Sequence, residues 1–225
     1  MINNERISVI IPAYNEAGFI AGTLDNLKEK WIDEIIVVND GSIDETREIV
    51  RKYPVKLIDL KENQGKGGAI NEGIRHSTGD ILVLIDADLG SSVKEIIKLV
   101  GPLIEEDLQV VIGIVPIRGG GRGLVRKTAD IALKLCTGKS MKAPLSGQRA
   151  FRREVLDYFL PFQKGFALEM GMNIRILRNN LRFTEVECQF QHRVTGKNIG
   201  GYLHRLQQFV DILLYMWRLN RKKNV

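Results

Sequence analysis

The chain has 225 residues, 44% hydrophobic and 27% charged, which fits one folded domain with a sizeable core and excludes a disordered or fibrous chain. Its two cysteines, Cys136 and Cys188, lie far apart without CxxC spacing, excluding a disulfide framework or thiolate metal cluster and pointing to a reducing cytosol. The formal net charge is +6; no apolar run reaches the ~18 residues of a membrane span, and MINNERISVIIPAYN lacks the layout of a signal peptide.

In chain order, Ile7–Ile11 (ISVII) is a β-branched run stopped by Pro12, which cannot donate to a ladder. Ile20, Leu24 and Leu27 follow at helical spacing. Glu34–Val38 (EIIVV) reads as a second buried strand, ending in the turn signal Asn39-Asp40-Gly41-Ser42. Asp44 opens a helix carrying Ile49 and Val50, and Val55–Leu57 is a weak third strand. Residues 63–68 (NQGKGG) read as a loop, Ala69–His76 as a helix, and Ile81–Ile85 as a fourth strand. This alternation predicts an α/β fold with an open, mostly parallel twisted sheet and helices on both faces. Ligands of such sheets collect at the carboxyl ends of the strands, where all four runs end in polar or glycine-rich loops.

The fourth run ends in VLIDADLG (83–90). Side chains alternate along a strand, so Asp86 and Asp88 point one way and Ala87 the other. Two such carboxylates suit a divalent cation with oxygen ligands, Mg2+ or Mn2+, with positions left for diphosphate oxygens. A charged turn after a strand fits the same four letters. Asp40 can accept from a ribose or base, or cap the following helix; Asp44 is better placed to cap. Lys66 sits between glycines, where backbone can approach a phosphate and the ammonium adds charge. It is not a P-loop, because no GKS or GKT at the required spacing is present.

Taken together, IPAYNE (11–16), VVNDGSIDET (37–46), NQGKGGAINEGI (63–74) and TGDILVLIDADL (78–89) resemble, in order and spacing, the nucleotide-sugar half of family 2 type glycosyltransferases of the GT-A fold. The resemblance implies that Pro12, Ala13, Tyr14, Glu16, Asp40 and Lys66 hold the nucleotide of a sugar donor. It also implies that Asp86, Ala87 and Asp88 meet the sugar diphosphate, with the two aspartates on the metal.

Charge divides the chain. Residues 1–117 hold 12 Lys and Arg against 20 Asp and Glu, whereas 118–225 hold 21 against 7. The basic half faces an anionic partner or is simply a solvated basic surface. The loop Arg118-Gly119-Gly120-Gly121-Arg122 is a phosphate cradle or a surface loop with incidental arginines. Downstream, PLSGQR (144–149), AFRREVL, GFALE (165–169) and VECQFQHR resemble two subgroups, the polyprenyl-phosphate sugar synthases and the glucosyl-3-phosphoglycerate synthases. Both glycosylate a phosphorylated acceptor, which implies acceptor contacts at Gly120, Gly121, Arg122, Ser146, Gln148 and Arg149. The resemblance further implies His192 as a third metal ligand beside Asp86 and Asp88; a polar residue following a strand fits as well. Glu169 is a candidate general base for a hydroxyl acceptor, and a phosphate acceptor would not need one. Tyr202–Trp217 has the apolar spacing of an amphipathic helix followed by Arg218, Arg221, Lys222 and Lys223. It packs on the domain or a second subunit, or lies on a membrane as a peripheral anchor.

The expectation is therefore one domain over 1–225, with a nucleotide-sugar half at 1–117 and an acceptor half at 118–225. Its activity would be metal-dependent transfer of a hexosyl group from a UDP- or GDP-linked sugar to polyprenyl phosphate or 3-phosphoglycerate. Asp88 and Glu169 are the catalytic candidates. The setting would be the cytoplasm or the inner membrane face, with peripheral membrane contact and a homodimer as open partnerships and no nucleic acid. A sugar-phosphate nucleotidyltransferase shares the sheet and the aspartates, although PAYNE is not its glycine-rich phosphate loop. A non-catalytic binding protein on the same scaffold is the third alternative.

Overall fold

The computed structural model describes residues 4–114, 122–160, 162 and 167–191, with side chains of 122–126 and Ala167 excepted. Arg118, Gly120, Gly121, His192 and the Tyr202–Trp217 stretch predicted as a helix therefore lie outside the described residues, and so does the Arg122 side chain.

The first four strands are β1 (Ile7–Ala13), β2 (Glu34–Asn39), β3 (Lys56–Asp59) and β4 (Ile81–Leu84). Helices α1 (Ile20–Asn26), α2 (Thr46–Val50) and α3 (Gly65–Arg75) connect them. After β4 come α4 (Ile97–Glu105), β5 (Val110–Ile114), α5 (Arg122–Thr137), β6 (Arg149–Arg152), α6 (Leu156–Phe159), α7 (Ala167–Arg178) and β7 (Phe183–Glu187). Among the described residues they build one seven-stranded sheet in the order β3-β2-β1-β4-β6-β5-β7. It is parallel throughout except at β6, which runs antiparallel to both neighbours. The predicted α/β class and mostly parallel sheet are what the chain forms.

Both faces of the sheet are covered, which is why β1, β2 and β4 are apolar at most of their positions. Ile10, Leu82, Leu84, Ile112 and Phe151 point to one side, where Ile70 and Ile74 of α3 and Leu133 of α5 meet them. Val9, Ile11, Val37, Val83 and Val111 point to the other, under Leu24 of α1 and Leu99 and Leu103 of α4. The period of two along each strand sorts these sets.

Pro12 does not end β1; the strand runs to Ala13. The Ile10 carbonyl accepts from Ile85 and the Ala13 carbonyl from Asp40, so alternate residues serve opposite neighbours. Pro12 shares the parity of Ile10 and faces β4, whose pairing with β1 has stopped at Ile10. Its missing N–H leaves no ladder bond unmade.

A second departure is the start of α3. The helix begins at Gly65, so Lys66, Gly67 and Gly68 lie in its first turn and not in a loop. Asp40 Oδ1 accepts from the Gln64 N–H at 2.7 Å and Asn63 Oδ1 from the Gly65 N–H at 3.0 Å. These carboxylate and amide acceptors compensate for the poor helix propensity of three glycines in four residues.

Candidate functional site

The carboxyl ends of β1, β2 and β4 open into a cleft of about 310 Å3 lined by Pro12, Ala13, Tyr14, Glu16, Asp40, Asn63, Gly65, Lys66, Asp86, Ala87 and Asp88. Its first wall comes from two loops tied together. The Asn15 N–H donates to Ser42 Oγ at 3.0 Å and Asn15 Oδ1 accepts from the Ile43 N–H at 2.9 Å. Glu16 N–H donates to Thr46 Oγ1 at 2.8 Å. Asn15 takes φ +55° here, a left-handed conformation that asparagine tolerates better than most side chains. Asp44 lies one residue before the N-cap position of α2, which is Glu45; its carboxylate accepts from the Thr46 N–H at 3.0 Å and from the Ala17 N–H at 3.1 Å. The hydrogen bonds fix the loop carrying Tyr14, whose ring stays 45% exposed.

Asp40 is buried at 3% exposure; it lines the cleft, and instead of capping α2, the helix that follows it, it holds the start of α3. That bond places Lys66, one residue into the helix, over the cleft floor. Lys66 Nζ then lies 2.7 Å from Asp86 Oδ1 and 3.4 Å from Glu169 Oε1. Burial by itself pulls this ammonium down, but the Asp86 and Glu169 charges outweigh burial and hold it above the usual lysine range.

Asp86 also accepts on Oδ2 from the Gln148 amide at 2.5 Å. The register explains the meeting. Leu84 is paired with Arg149 in the antiparallel β4–β6 ladder, so the chain entering β6 passes the residues leaving β4. Antiparallel β6 thus delivers Ser146-Gly147-Gln148 to the aspartate that follows β4. Gly147 leaves room for Lys66 to reach Asp86: a Cβ there would stand 2.6 Å from Lys66 Nζ and push it aside. Behind the aspartates, Thr23 Oγ1 donates to the Ala87 carbonyl at 2.7 Å and accepts from the Gly90 N–H at 3.0 Å, pinning the turn that carries Asp86 and Asp88.

Three residues expected at the acceptor have other geometry. Arg149 is 1% exposed and does not offer its guanidinium to a ligand in this structure. Facing residues of an antiparallel pair share a side, and Leu84 and Ile112, its partners, belong to the face covered by α3, α5 and α7. There Arg149 donates to the Ser146 carbonyl, to Asn173 Oδ1 at 3.3 Å and to Met172 Sδ at 3.5 Å. Burial pulls it down to about 10, against the pull of the Glu169 and Glu185 charges. Gln148 is likewise 1% exposed, its amide turned to Asp86. Ser146 is half-buried, with Oγ 3.5 Å from Gln148 Oε1.

Sequence reasoning missed Asn63, Gly65, Gly147 and Asn173. The first two sit in the quoted NQGKGG run, so the signal was present. Asn173 carried none: it is fully buried on α7, where its Nδ2 donates to the Pro144 carbonyl at 2.7 Å. Among the described residues no group of three or more His, Cys, Asp or Glu forms a ready metal shell. Asp86 and Asp88 both line the cleft, so a hard cation would find two oxygen donors and an open side, the arrangement Mg2+ prefers when phosphate and water complete its shell.

Comparison with known proteins agrees with this architecture. The model of "Glycosyl transferase family 2" matches residues 8–160. The chain is 30% identical over 227 aligned residues to the dolichol-phosphate mannosyltransferase of Pyrococcus furiosus, covering 91% of this chain and 64% of that protein; it thus spans under two thirds of that relative's length. Glucosyl-3-phosphoglycerate synthase from Mycobacterium tuberculosis, solved with Mg2+ and UDP, superposes with a TM-score of 0.80 at 29% identity, covering 95% of this chain and 79% of that one. The same synthase with Mn2+, UDP-glucose and phosphoglyceric acid superposes with a TM-score of 0.77 at 29% identity, covering 95% and 80%. With its match to the family model over more than half its length, this chain belongs to glycosyl transferase family 2.

Proposed function

We propose that this glycosyltransferase moves a hexosyl group from a UDP- or GDP-linked sugar to a phosphorylated acceptor, either polyprenyl phosphate or 3-phosphoglycerate. The observation that carries the reading is the cleft in which Lys66, Asp40, Asp86 and Asp88 meet at the carboxyl ends of three parallel strands. Pro12, Ala13, Tyr14, Glu16 and Asp40 would hold the base and ribose, and Lys66 the diphosphate. Asp86 and Asp88 would hold Mg2+ or Mn2+, with His192 as third ligand. Bound there, the cation would neutralise the diphosphate as it leaves. The M. tuberculosis synthase binds such a cation together with UDP-glucose, and the P. furiosus relative is a dolichol-phosphate enzyme; together they support a phosphorylated acceptor.

The basic charge of residues 118–225 agrees with that choice, and Gly120, Gly121, Arg122 and Ser146 would meet the acceptor phosphate. Glu169, beside Lys66 at the junction of the halves, would act as base for a hydroxyl acceptor and be dispensable for a phosphate. Residues 1–225 act as one domain in this reading, since strands from both halves interleave in one sheet. Among the described residues no helix is long and apolar enough to cross a membrane; a cytoplasmic enzyme touching the inner membrane face through its C-terminal helix, or pairing through it, completes the proposal. Family membership displaces the nucleotidyltransferase and non-catalytic alternatives.

The test is a panel of UDP- and GDP-sugars with Mn2+ or Mg2+, against 3-phosphoglycerate and a short polyprenyl phosphate, reading nucleoside diphosphate release. Transfer to one acceptor, abolished in Asp88→Ala, is the expected result. Full donor hydrolysis and transfer by Asp88→Ala with unchanged metal dependence would overturn it, as would pyrophosphate release from a nucleoside triphosphate and a sugar phosphate.

A further inference from the structure

We infer that Gln148 is a positioning residue for Asp86, held by a buried brace, and not an acceptor contact. The inference rests on the donor-site reading proposed above. Asp86 has two oxygens and each meets a donor, Lys66 on Oδ1 at 2.7 Å and Gln148 on Oδ2 at 2.5 Å. The two donors set the rotation of the carboxylate, and so the direction in which its remaining lone pairs face the cleft. Lys66 belongs to the binding machinery and has reason to turn toward an incoming diphosphate. Gln148 does not: it is 1% exposed and carries no charge for an anion to attract.

The backbone around Gln148 is fastened from several sides. Its carbonyl accepts from the Gly113 N–H of β5 at 2.9 Å. Arg149 donates back to the Ser146 carbonyl, and its guanidinium is held in turn by Asn173 of α7. Asn173 donates to the Pro144 carbonyl at 2.7 Å, and Glu185 of β7 accepts from the Lys142 and Ala143 N–H groups at 2.9 and 2.7 Å. Polar side chains of α7, β6 and β7 thus converge on residues 142–148. A chain that only needed to pack would satisfy this turn with apolar contacts; here a buried guanidinium and a buried amide are committed to its carbonyls. Such groups are costly to bury and fix one geometry when fully bonded. The geometry they fix is the one that aims the Gln148 amide at Asp86. Outer partners of a metal-binding carboxylate orient it and tune its affinity.

The experiment measures Mn2+-dependent binding of UDP and GDP to the full chain by calorimetry, alongside steady-state kinetics. Gln148→Glu keeps the shape but presents an acceptor where Asp86 needs a donor; Gln148→Leu removes the amide outright. Both are expected to weaken binding of the Mn2+–nucleotide pair by about 10- to 100-fold, with the acceptor KM unchanged and thermal unfolding still cooperative. Arg149→Lys, which cannot reproduce the planar fork, should show a smaller loss of the same kind. Unchanged Mn2+–nucleotide affinity in Gln148→Glu overturns the inference while leaving the donor site standing, and so does a raised acceptor KM with unchanged nucleotide affinity. Absence of Mn2+-dependent UDP or GDP binding by the unmodified protein takes down the donor-site reading and this inference together.

Discussion

Lys66 Nζ lies 2.7 Å from Asp86 Oδ1, joining the first turn of α3 to the end of β4 across the cleft floor. The contact puts a tethered cation beside the carboxylate, with Glu169 of α7 on its other side at 3.4 Å. One ammonium from α3 thus holds together a carboxylate of the turn after β4 and one of α7.

Replacing that ammonium has two consequences. Lys66→Met removes the charge and leaves Asp86 and Glu169 facing each other without it. Because the Lys66 and Asp86 side chains are 33% and 29% exposed, solvent screens the loss, and the stability cost is about 1–2 kcal/mol. A drop in Tm of roughly 2–6 °C is expected. Binding of UDP with Mn2+ should fall by about 10- to 100-fold, the loss of one charge-assisted hydrogen bond to phosphate. Calorimetry and thermal melts on one sample check both.

Gly147→Ala separates folding from function. The added Cβ would stand 2.6 Å from Lys66 Nζ, but Nζ is the far end of a flexible side chain and can move aside. Stability should change by less than about 1 kcal/mol, while Lys66 loses its seat on Asp86. Weaker nucleotide binding at near-normal Tm is expected; a large Tm loss with intact binding would contradict this account.

Away from the cleft, Glu34 ties three strands together at their starts. Burial would raise its pKa, but hydrogen bonds from Ser8 Oγ at 2.5 Å and from the Thr78 N–H and Oγ1 at 2.5 and 3.0 Å outweigh burial and hold it below 4.5. The native state therefore favours the ionised form. Its contribution to stability is present above about pH 4.5 and is lost as pH falls through the lower native value. Glu34→Gln should be less stable at pH 7 and show a shallower decline below pH 4.5 in urea unfolding.

The two cysteines should differ in chemistry. Cys188 is fully buried, and its thiol is pushed up to about 12 first by burial and then by the Glu95 charge, with Lys98 opposing. Its thiolate fraction at pH 8 is on the order of 10⁻⁴. Cys136 is partly exposed. Alkylation followed by mass spectrometry should label Cys136 in the folded protein and Cys188 only after denaturant is added.

How much of this was legible in the chain follows from what is local. ISVII, EIIVV and ILVLI are apolar at nearly every position, and a strand with both faces covered needs that pattern, so the parallel core was readable. IDADL placed two carboxylates just past an apolar strand, but β4 stops at Leu84, so the turn after it, and not strand alternation, brings Asp86, Ala87 and Asp88 to the cleft together. The boundary at Gly65 was not readable, because a three-glycine turn becomes helical through Asp40 and Asn63, one of them 25 residues upstream. Arg149 was read as a ligand for phosphate because a basic residue after SGQ carries no mark of burial. It is buried because β6 inserts between β4 and β5 and sets its guanidinium against Asn173. By itself, then, the amino-acid order determined the strands, through short-range periodicity, and set the acidic pair just past β4, while the polar loops between the strands were legible only by their resemblance to a known family. Only the tertiary structure decided that Lys66, Gln148 and Glu169 gather at Asp86, because an antiparallel strand and a distant helix bring them there, and no local pattern encodes that distance.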